Sequence, residues 1–131
     1  MTMIKSIGKL VYSPRSHLAN PQKWLVLMCD DGISEYYRHL FYKEYPWKGK
    51  LTRPVWGAHI SVIRGEYTDP KLWQLDSGKI IDFEYEDGVL DNEEYYWLKV
   101  RSNYLSNLRE KYGLSREPKF GFHLTIGRTT Q

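Results

Sequence analysis

The stretch Gly57-Ala58-His59-Ile60-Ser61-Val62 is matched later in the chain by Phe122-His123-Leu124-Thr125-Ile126-Gly127. In each stretch a histidine stands two residues before a hydroxyl residue, among apolar residues that are typical of a β-strand. Side chains two apart in a strand point to the same face of the sheet. Each stretch is therefore predicted to present an imidazole and a hydroxyl side by side, with apolar side chains on the opposite face.

A glycine stands two residues before each histidine, at Gly57 and Gly121. On a strand these glycines share the face of the histidines, so we expect the backbone there to be open to close approach by a phosphate. Trp56 and Phe120 fall on the other face and are predicted to be buried. The polar faces of the two predicted strands are thus typical of a ligand site rather than of packing.

The rest of the pattern places each motif strand after a helix. Asp31 or Ser34 is expected to cap the first helix and Ser102 or Asn103 the second. Alternation and helical spacing predict, in chain order, a strand over 8–13, a strand over 23–29, a helix over 33–45, a strand over 55–64, a short strand over 72–75, strands over 79–86 and 94–100, a helix over 102–114 and a strand over 120–128. This order predicts an α+β fold in which two pseudo-symmetric βα lobes form one domain over residues 1–131, with their motif strands facing each other across a central groove.

Composition narrows the classes of protein that fit. A formal net charge of +3 over 131 residues suits an anionic ligand but is far below the basic load of a protein that lives on nucleic acid. The single cysteine, Cys29, excludes a disulfide framework within the chain and favours a reducing compartment. No window approaches the ~20 apolar residues of a membrane span. We expect a cytoplasmic protein with no membrane partner and no obligatory protein partner.

Two histidines on one site can perform acid/base chemistry near neutral pH. One neutral imidazole removes the proton of an attacking hydroxyl, and one imidazolium protonates the leaving oxygen. Ser61 and Thr125 would donate hydrogen bonds to phosphoryl oxygens as negative charge builds up. The other histidines, His17 and His39, lack a second ligand at matching spacing, and no metal or cofactor motif is present.

The paired motifs, 64 residues apart, and the repeated βα pattern resemble the 2H phosphoesterase superfamily, which includes LigT-like RNA cyclic phosphodiesterases and phage anti-CBASS nucleases. The resemblance spans most of the chain, and its specific part is His59-Ile60-Ser61 and His123-Leu124-Thr125. It implies a bilobal domain and metal-independent cleavage, with the two histidines as acid and base and the two hydroxyls as phosphate clamps. The first motif has Ser where many members have Thr, a change that keeps the hydroxyl.

The resemblance implies a nucleotide or oligonucleotide substrate. The compact size favours a phage-type enzyme that degrades cyclic oligonucleotide immune signals in the host cytoplasm. Two alternatives within the same chemistry are a 2′,3′-cyclic phosphodiesterase and a 2′,5′-oligonucleotide phosphodiesterase acting on RNA ends. A non-catalytic nucleotide-binding module is the alternative from another class.

Residues near the motif strands are further candidates for substrate binding. Arginine guanidinium groups form bidentate hydrogen bonds with phosphate, and aromatic rings stack on bases. Both kinds of side chain flank the predicted motif strands or the loops between elements. The candidates are Arg53, Arg64 and Arg128 for phosphate and Tyr12 and Trp47 for bases.

Overall fold

The computed structural model describes residues 2–13, 24–66, 68 and 71–129. They form a mixed α+β domain, which confirms the fold class predicted from the sequence. The strands are β1 Met3–Tyr12, β2 Trp24–Cys29, β3 Leu51–Thr52, β4 His59–Arg64, β5 Ile80–Glu86, β6 Leu90–Asp91, β7 Tyr95–Arg101 and β8 His123–Thr129. The helices are α1 Asp31–Glu44 and α2 Asn103–Lys111, and a short 3₁₀ helix covers Pro46–Lys48.

Six strands close into a barrel in which each described pairing is antiparallel. The order round the ring is β8, β4, β2, β1, β5 and β7, and the ring closes because β7 also pairs with β8. The short strands lie outside the ring, β3 on β8 and β6 on β7. Strand β8 therefore joins the two halves of the chain, since its neighbours are β4 from the first half and β7 from the second.

The two faces of the barrel wall differ in character. One face is the core, and its strand residues include Leu10, Leu25, Leu27, Ile60, Val62, Phe83, Leu98, Leu124 and Ile126, all 0–2% exposed. The opposite face, called here the open face, carries the side chains that alternate with them. Because residues paired across strands share a face, the register places on it, from β2 and β7, Trp24, Val26, Met28, Tyr95, Trp97 and Lys99.

Both helices begin at a side-chain cap. The Asp30 carboxylate accepts from the Gly32 amide at 2.8 Å, so Asp30 caps α1 in place of the predicted Asp31 or Ser34. The Ser102 hydroxyl accepts from the Leu105 amide at 3.2 Å, as one of the two predicted caps. The buried residues of α1 are Ser34, Tyr37, Arg38 and Phe41, and those of α2 are Leu105, Ser106, Leu108 and Arg109.

Further sequence expectations, about the strands, are wrong. The motif strands begin at the histidines, and the preceding residues, with Gly57 and Gly121 at φ +71°, form turns, because that conformation cannot continue a ladder. Phe120 is 82% exposed, not buried, for the same reason. Residues 71–78 are turns, so the strand predicted over 72–75 is absent.

No helix among residues 2–13, 24–66, 68 and 71–129 is long and apolar enough to cross a membrane. The beginning of the second predicted strand, Lys23, and His17 in the loop before it lie outside the described residues.

Candidate active site

The two histidine motifs lie on neighbouring strands. Ile60 on β4 pairs with Leu124 on β8 in an antiparallel ladder. One step to either side, the histidine of each motif therefore stands opposite the hydroxyl residue of the other, with Cβ atoms about 5 Å apart. The structure thus brings together on the open face the four predicted catalytic side chains, all half-buried: His59 opposite Thr125 and Ser61 opposite His123.

The two imidazoles are held in the same way. Nδ1 of His59 lies 2.9 Å from the Gly57 carbonyl oxygen, and Nδ1 of His123 lies 3.1 Å from the Gly121 carbonyl oxygen. A carbonyl only accepts hydrogen bonds, so Nδ1 is the protonated nitrogen in each neutral ring. Nε2 of each ring is then the nitrogen that accepts a proton from a substrate or, once protonated, donates one.

The turns that deliver the histidines also match. The Gly57 amide donates to the Pro54 carbonyl at 3.1 Å, and the Gly121 amide donates to the Pro118 carbonyl at 2.8 Å. The repeat is therefore longer than the histidine motif and reads Pro-x-x-Gly-x-His-x-(Ser/Thr), with every member displaced by the 64 residues that separate His59 from His123. The paired prolines become visible in the sequence when its two halves are aligned at that offset.

Asp31 braces the first turn, a role that the sequence did not indicate. Its Oδ1 accepts from the buried Ala58 amide at 2.8 Å. A Cβ on Gly57 would lie 2.5 Å from that same oxygen, so the turn has no room for a side chain there. Gly57 is therefore required by the turn and by the contact with Asp31. The prediction that it leaves the backbone open to a phosphate is wrong.

Electrostatics favour a neutral His59. Burial lowers the pKa of His59 below its usual 6.5, which outweighs the opposite effect of the hydrogen bond to Gly57. The positive charges of Arg64 and His123 lower this pKa further. The two imidazoles therefore interact, and a proton on His123 disfavours a second one on His59.

Each helix contributes a buried arginine to the motif strand of the other half. Both strands contain a β-bulge just after the hydroxyl residue, where the register shifts. The Arg109 guanidinium of α2 donates to the Val62 carbonyl of β4 at 2.7 Å, and that of Arg38 in α1 donates to the Ile126 carbonyl of β8 at 2.8 Å. These bonds satisfy carbonyls at irregular points of the ladder and fix the strands that carry the histidines.

Two of the predicted phosphate-binding arginines flank the site symmetrically. Arg64 pairs with Trp24 across β4 and β2, and its guanidinium carbon lies 5.2 Å from the centre of an indole ring. Arg128 pairs with Tyr95 across β8 and β7, and its guanidinium carbon lies 5.6 Å from the phenol ring. Both arginines follow the motif histidine by five residues, and they lie on the open face because the extra residue of the bulge shifts the alternation by one.

The other three predicted binding residues lie elsewhere. Tyr12 is 7% exposed on the core face, and its hydroxyl is 2.8 Å from that of Tyr112. Trp47 is 74% exposed on the 3₁₀ helix, with its ring against Tyr45. Arg53 lines a small cavity of about 140 Å³ beside α1.

Aromatic rings border both histidines. The ring of Trp56 lies edge-on to His59 with centroids 5.2 Å apart, and that of Trp97 lies edge-on to His123 at 6.5 Å. A broad depression of about 980 Å³ lies away from them, over β1, β5 and the start of α2, and its lining contains no histidine. The candidate site is therefore identified by its chemistry and not by cavity volume.

Two further observations complete the description of the site. Within residues 2–13, 24–66, 68 and 71–129 there is no group of three or more His, Cys, Asp or Glu side chains placed to hold a metal ion. No protein-family model, curated protein or solved structure matches this chain.

Proposed function

We propose that this protein is a metal-independent phosphodiesterase that cleaves nucleotide phosphodiester bonds by two-histidine acid/base catalysis. The observation that carries the proposal is the matched pair of imidazoles on adjacent strands, each with Nδ1 on a glycine carbonyl and Nε2 available to a ligand. Proton transfer at both ends of a displacement requires two such groups on one face. A hydroxyl donor opposite each imidazole supports the same reaction.

The surroundings of His59 favour one role for it, and His123 takes the other. His59, whose pKa is lowered chiefly by burial, is the general base. Its Nε2 takes the proton of a ribose 2′-hydroxyl as that oxygen bonds to phosphorus. His123 is the general acid, and its protonated Nε2 gives a proton to the 5′-oxygen as the P–O bond breaks. The products are a 2′,3′-cyclic phosphate and a free 5′-hydroxyl.

The hydroxyl residues stabilise the charge that develops. Ser61 and Thr125 lie on opposite strands and point to the same face, so one Oγ–H can donate to each non-bridging oxygen of the phosphorane. Such donors act most strongly where charge appears in the transition state. With water in place of the ribose hydroxyl, the same four groups would hydrolyse a 2′,3′-cyclic phosphate.

The repeated geometry supports two pseudo-symmetric lobes with the site between them. Strands β1, β2 and β4 with α1 correspond to β5, β7 and β8 with α2. Round the ring, β4 is followed by β2 and β1 in one direction, and β8 is followed by β7 and β5 in the other. In this proposal the protein belongs with phage-type enzymes that open cyclic oligonucleotide immune signals in a host cytoplasm. Cleavage of such a ring would need the same single in-line displacement.

The test is product chromatography with purified protein in excess EDTA. The panel contains cyclic di- and trinucleotides, 2′,5′-oligoadenylate, 3′,5′-linked dinucleotides and 2′,3′-cyclic mononucleotides. We expect cleavage that persists in chelator and falls at least about 100-fold in His59→Ala and in His123→Ala. His39→Ala is the matched control, because His39 is an exposed histidine of α1.

Other outcomes would discriminate against the proposal. Cleavage abolished by EDTA and restored by a divalent cation would refute the metal-independent reaction. Binding of the panel without any turnover would favour a nucleotide-binding module. Equal activity in the wild type and the two histidine variants would show that the cleavage comes from elsewhere.

A further inference from the structure

Two arginines flank the histidines on the open face, Arg64 on β4 and Arg128 on β8. Positions along the two strands are counted here in ladder steps, in which the extra residue of a bulge does not count. In one direction, the pair Ser61 and His123 lies one step from the Ile60–Leu124 pair, and Arg64 lies two steps beyond it. In the other direction His59 and Thr125 lie one step away, and two steps beyond them is Arg128. The open face therefore carries a line of cation, histidine pair and cation.

The spacing of this line suits a chain of phosphates. Two residues along a β-strand span about 7 Å, which is on the order of the distance between successive phosphates of an extended oligonucleotide. The arginine Cα atoms are thus about 20 Å apart along the strand direction, with the histidine pair midway. A phosphate at the histidines would leave neighbouring phosphates on either side within reach of a long arginine side chain.

Each arginine is also held ready for a phosphate. The guanidinium carbons of Arg64 and Arg128 lie over the rings of Trp24 and Tyr95, and these cation–π contacts hold each side chain against its neighbour on the next strand. Arg128 additionally lies 3.9 Å from Glu94, with both side chains 53% exposed. A pair that exposed is weak and can yield to a phosphate.

We propose that Arg64 and Arg128 form two phosphate subsites, one on each side of the scissile linkage, so that the substrate is an oligonucleotide with at least three successive phosphates. This inference rests on the proposed phosphodiesterase activity, which places the scissile phosphate between the two histidines. It separates the candidate substrates, since a 2′,3′-cyclic mononucleotide occupies the centre alone. Oligonucleotides, linear or cyclic, engage the flanking arginines.

Binding tests the subsites without any turnover. The probes are fluorescent 2′-O-methyl oligouridylates of two, three and four nucleotides, with one, two and three phosphates, which lack the attacking hydroxyl. Anisotropy titrations with wild-type protein should give an affinity gain of about fivefold for each added phosphate. The gain for the four-nucleotide probe should fall by one such factor in Arg64→Gln and in Arg128→Gln, and by both in the double variant.

The salt dependence supplies a readout that altered folding would not mimic. Each lost phosphate contact should reduce the slope of log affinity against log salt by about 0.7. Arg116→Gln is the matched control, since it removes the same charge from an exposed site after α2. Its slope and affinities should equal those of the wild type.

The outcomes distinguish this inference from the proposed function. Length-independent affinity, or slopes that are unchanged in both arginine variants, would overturn the subsites even if the enzyme cleaves. Length-dependent affinity that is lost in the arginine variants would support the subsites even if no substrate in the panel is cleaved. Equal losses in Arg116→Gln would also overturn them, because the effect would then be one of net charge.

Discussion

Substituting alanine at Gly57 and at Gly121 separates two contributions to the geometry of the turns. Both residues have φ +71°, so an alanine at either position incurs the cost of the left-handed conformation, about 1 kcal/mol. At Gly121 nothing lies within 4 Å of the added Cβ. At Gly57 the Cβ would be 2.5 Å from the Asp31 Oδ1, so that carboxylate must rotate away.

The rotation has a cost that can be stated from the structure. Asp31 would give up its 2.8 Å hydrogen bond to the Ala58 amide, which is buried. A buried amide left without its partner costs about 1–3 kcal/mol. We therefore expect Gly121→Ala to lower the free energy of unfolding by about 1 kcal/mol and Gly57→Ala to lower it by about 2–4 kcal/mol.

Urea denaturation followed by tryptophan fluorescence measures both values, and a double-mutant cycle identifies the cause. In an Asp31→Ala background the hydrogen bond is already absent, so Gly57→Ala should then cost only the conformational term, about 1 kcal/mol. Gly121→Ala should cost the same in either background. Equal losses for the two glycine variants in the wild-type background, or no coupling between Gly57 and Asp31, would refute the reasoning.

Three further predictions concern the histidines, the buried arginines and the core tyrosine. His59 should titrate below pH 6.5 in NMR spectra, and Arg64→Gln should raise the pKa of His59 because a nearby positive charge is lost. Between the pKa of His59 in the folded protein and its higher pKa in the unfolded chain, the unfolded chain binds more protons, so the free energy of unfolding should fall as pH drops through that window and should not do so in His59→Gln. An unshifted titration would contradict the burial argument. Arg109→Met, which leaves Glu66 without its ion pair and the Val62 carbonyl without a donor, should cost about 3 kcal/mol in chemical denaturation, and Arg38→Met about 1–2 kcal/mol; the reverse order would be inconsistent with the contacts. Tyr12→Phe should lower the thermal midpoint through loss of its bond to Tyr112 while leaving the affinity for the oligouridylate probes unchanged, and a loss of affinity with an unchanged midpoint would instead place the Tyr12 hydroxyl against the ligand.

The sequence predicts the parts of the fold that depend on local pattern. Both helices, the strands β2, β5 and β7 and the shared face of each histidine and hydroxyl follow from spacing and caps. The beginnings of β4 and β8 could not be located this way, because apolar residues such as Trp56 and Phe120 continue the alternation past the point where a glycine conformation ends the ladder. Closure of the barrel depends on pairings between distant strands, which no local pattern encodes.

The sequence predicts which residues form the candidate site, but it does not predict the residues that hold them in place. The repeat of His59 and His123 is visible in the sequence, whereas Asp31 reaches the first turn across 27 residues and leaves no pattern. Arg64 and Arg128 were identified by proximity to strand ends, and the cross-strand rings that orient them emerge only from the register. Tyr12 was misplaced because a single residue near a strand end gives no information about which face it occupies.

The position of β8 in the ring has a consequence for synthesis. This strand pairs with β3, β4 and β7, and its bulge carbonyl receives the guanidinium of Arg38 from the first helix. While a ribosome is still adding residues 123–129, the wall has an open seam along β4, and one of the two histidines has yet to emerge. A nascent chain of this protein therefore exposes unpaired strand edges and has no complete site until translation passes the end of β8. Its many contacts between residues distant in sequence also predict slow closure once the strand is released.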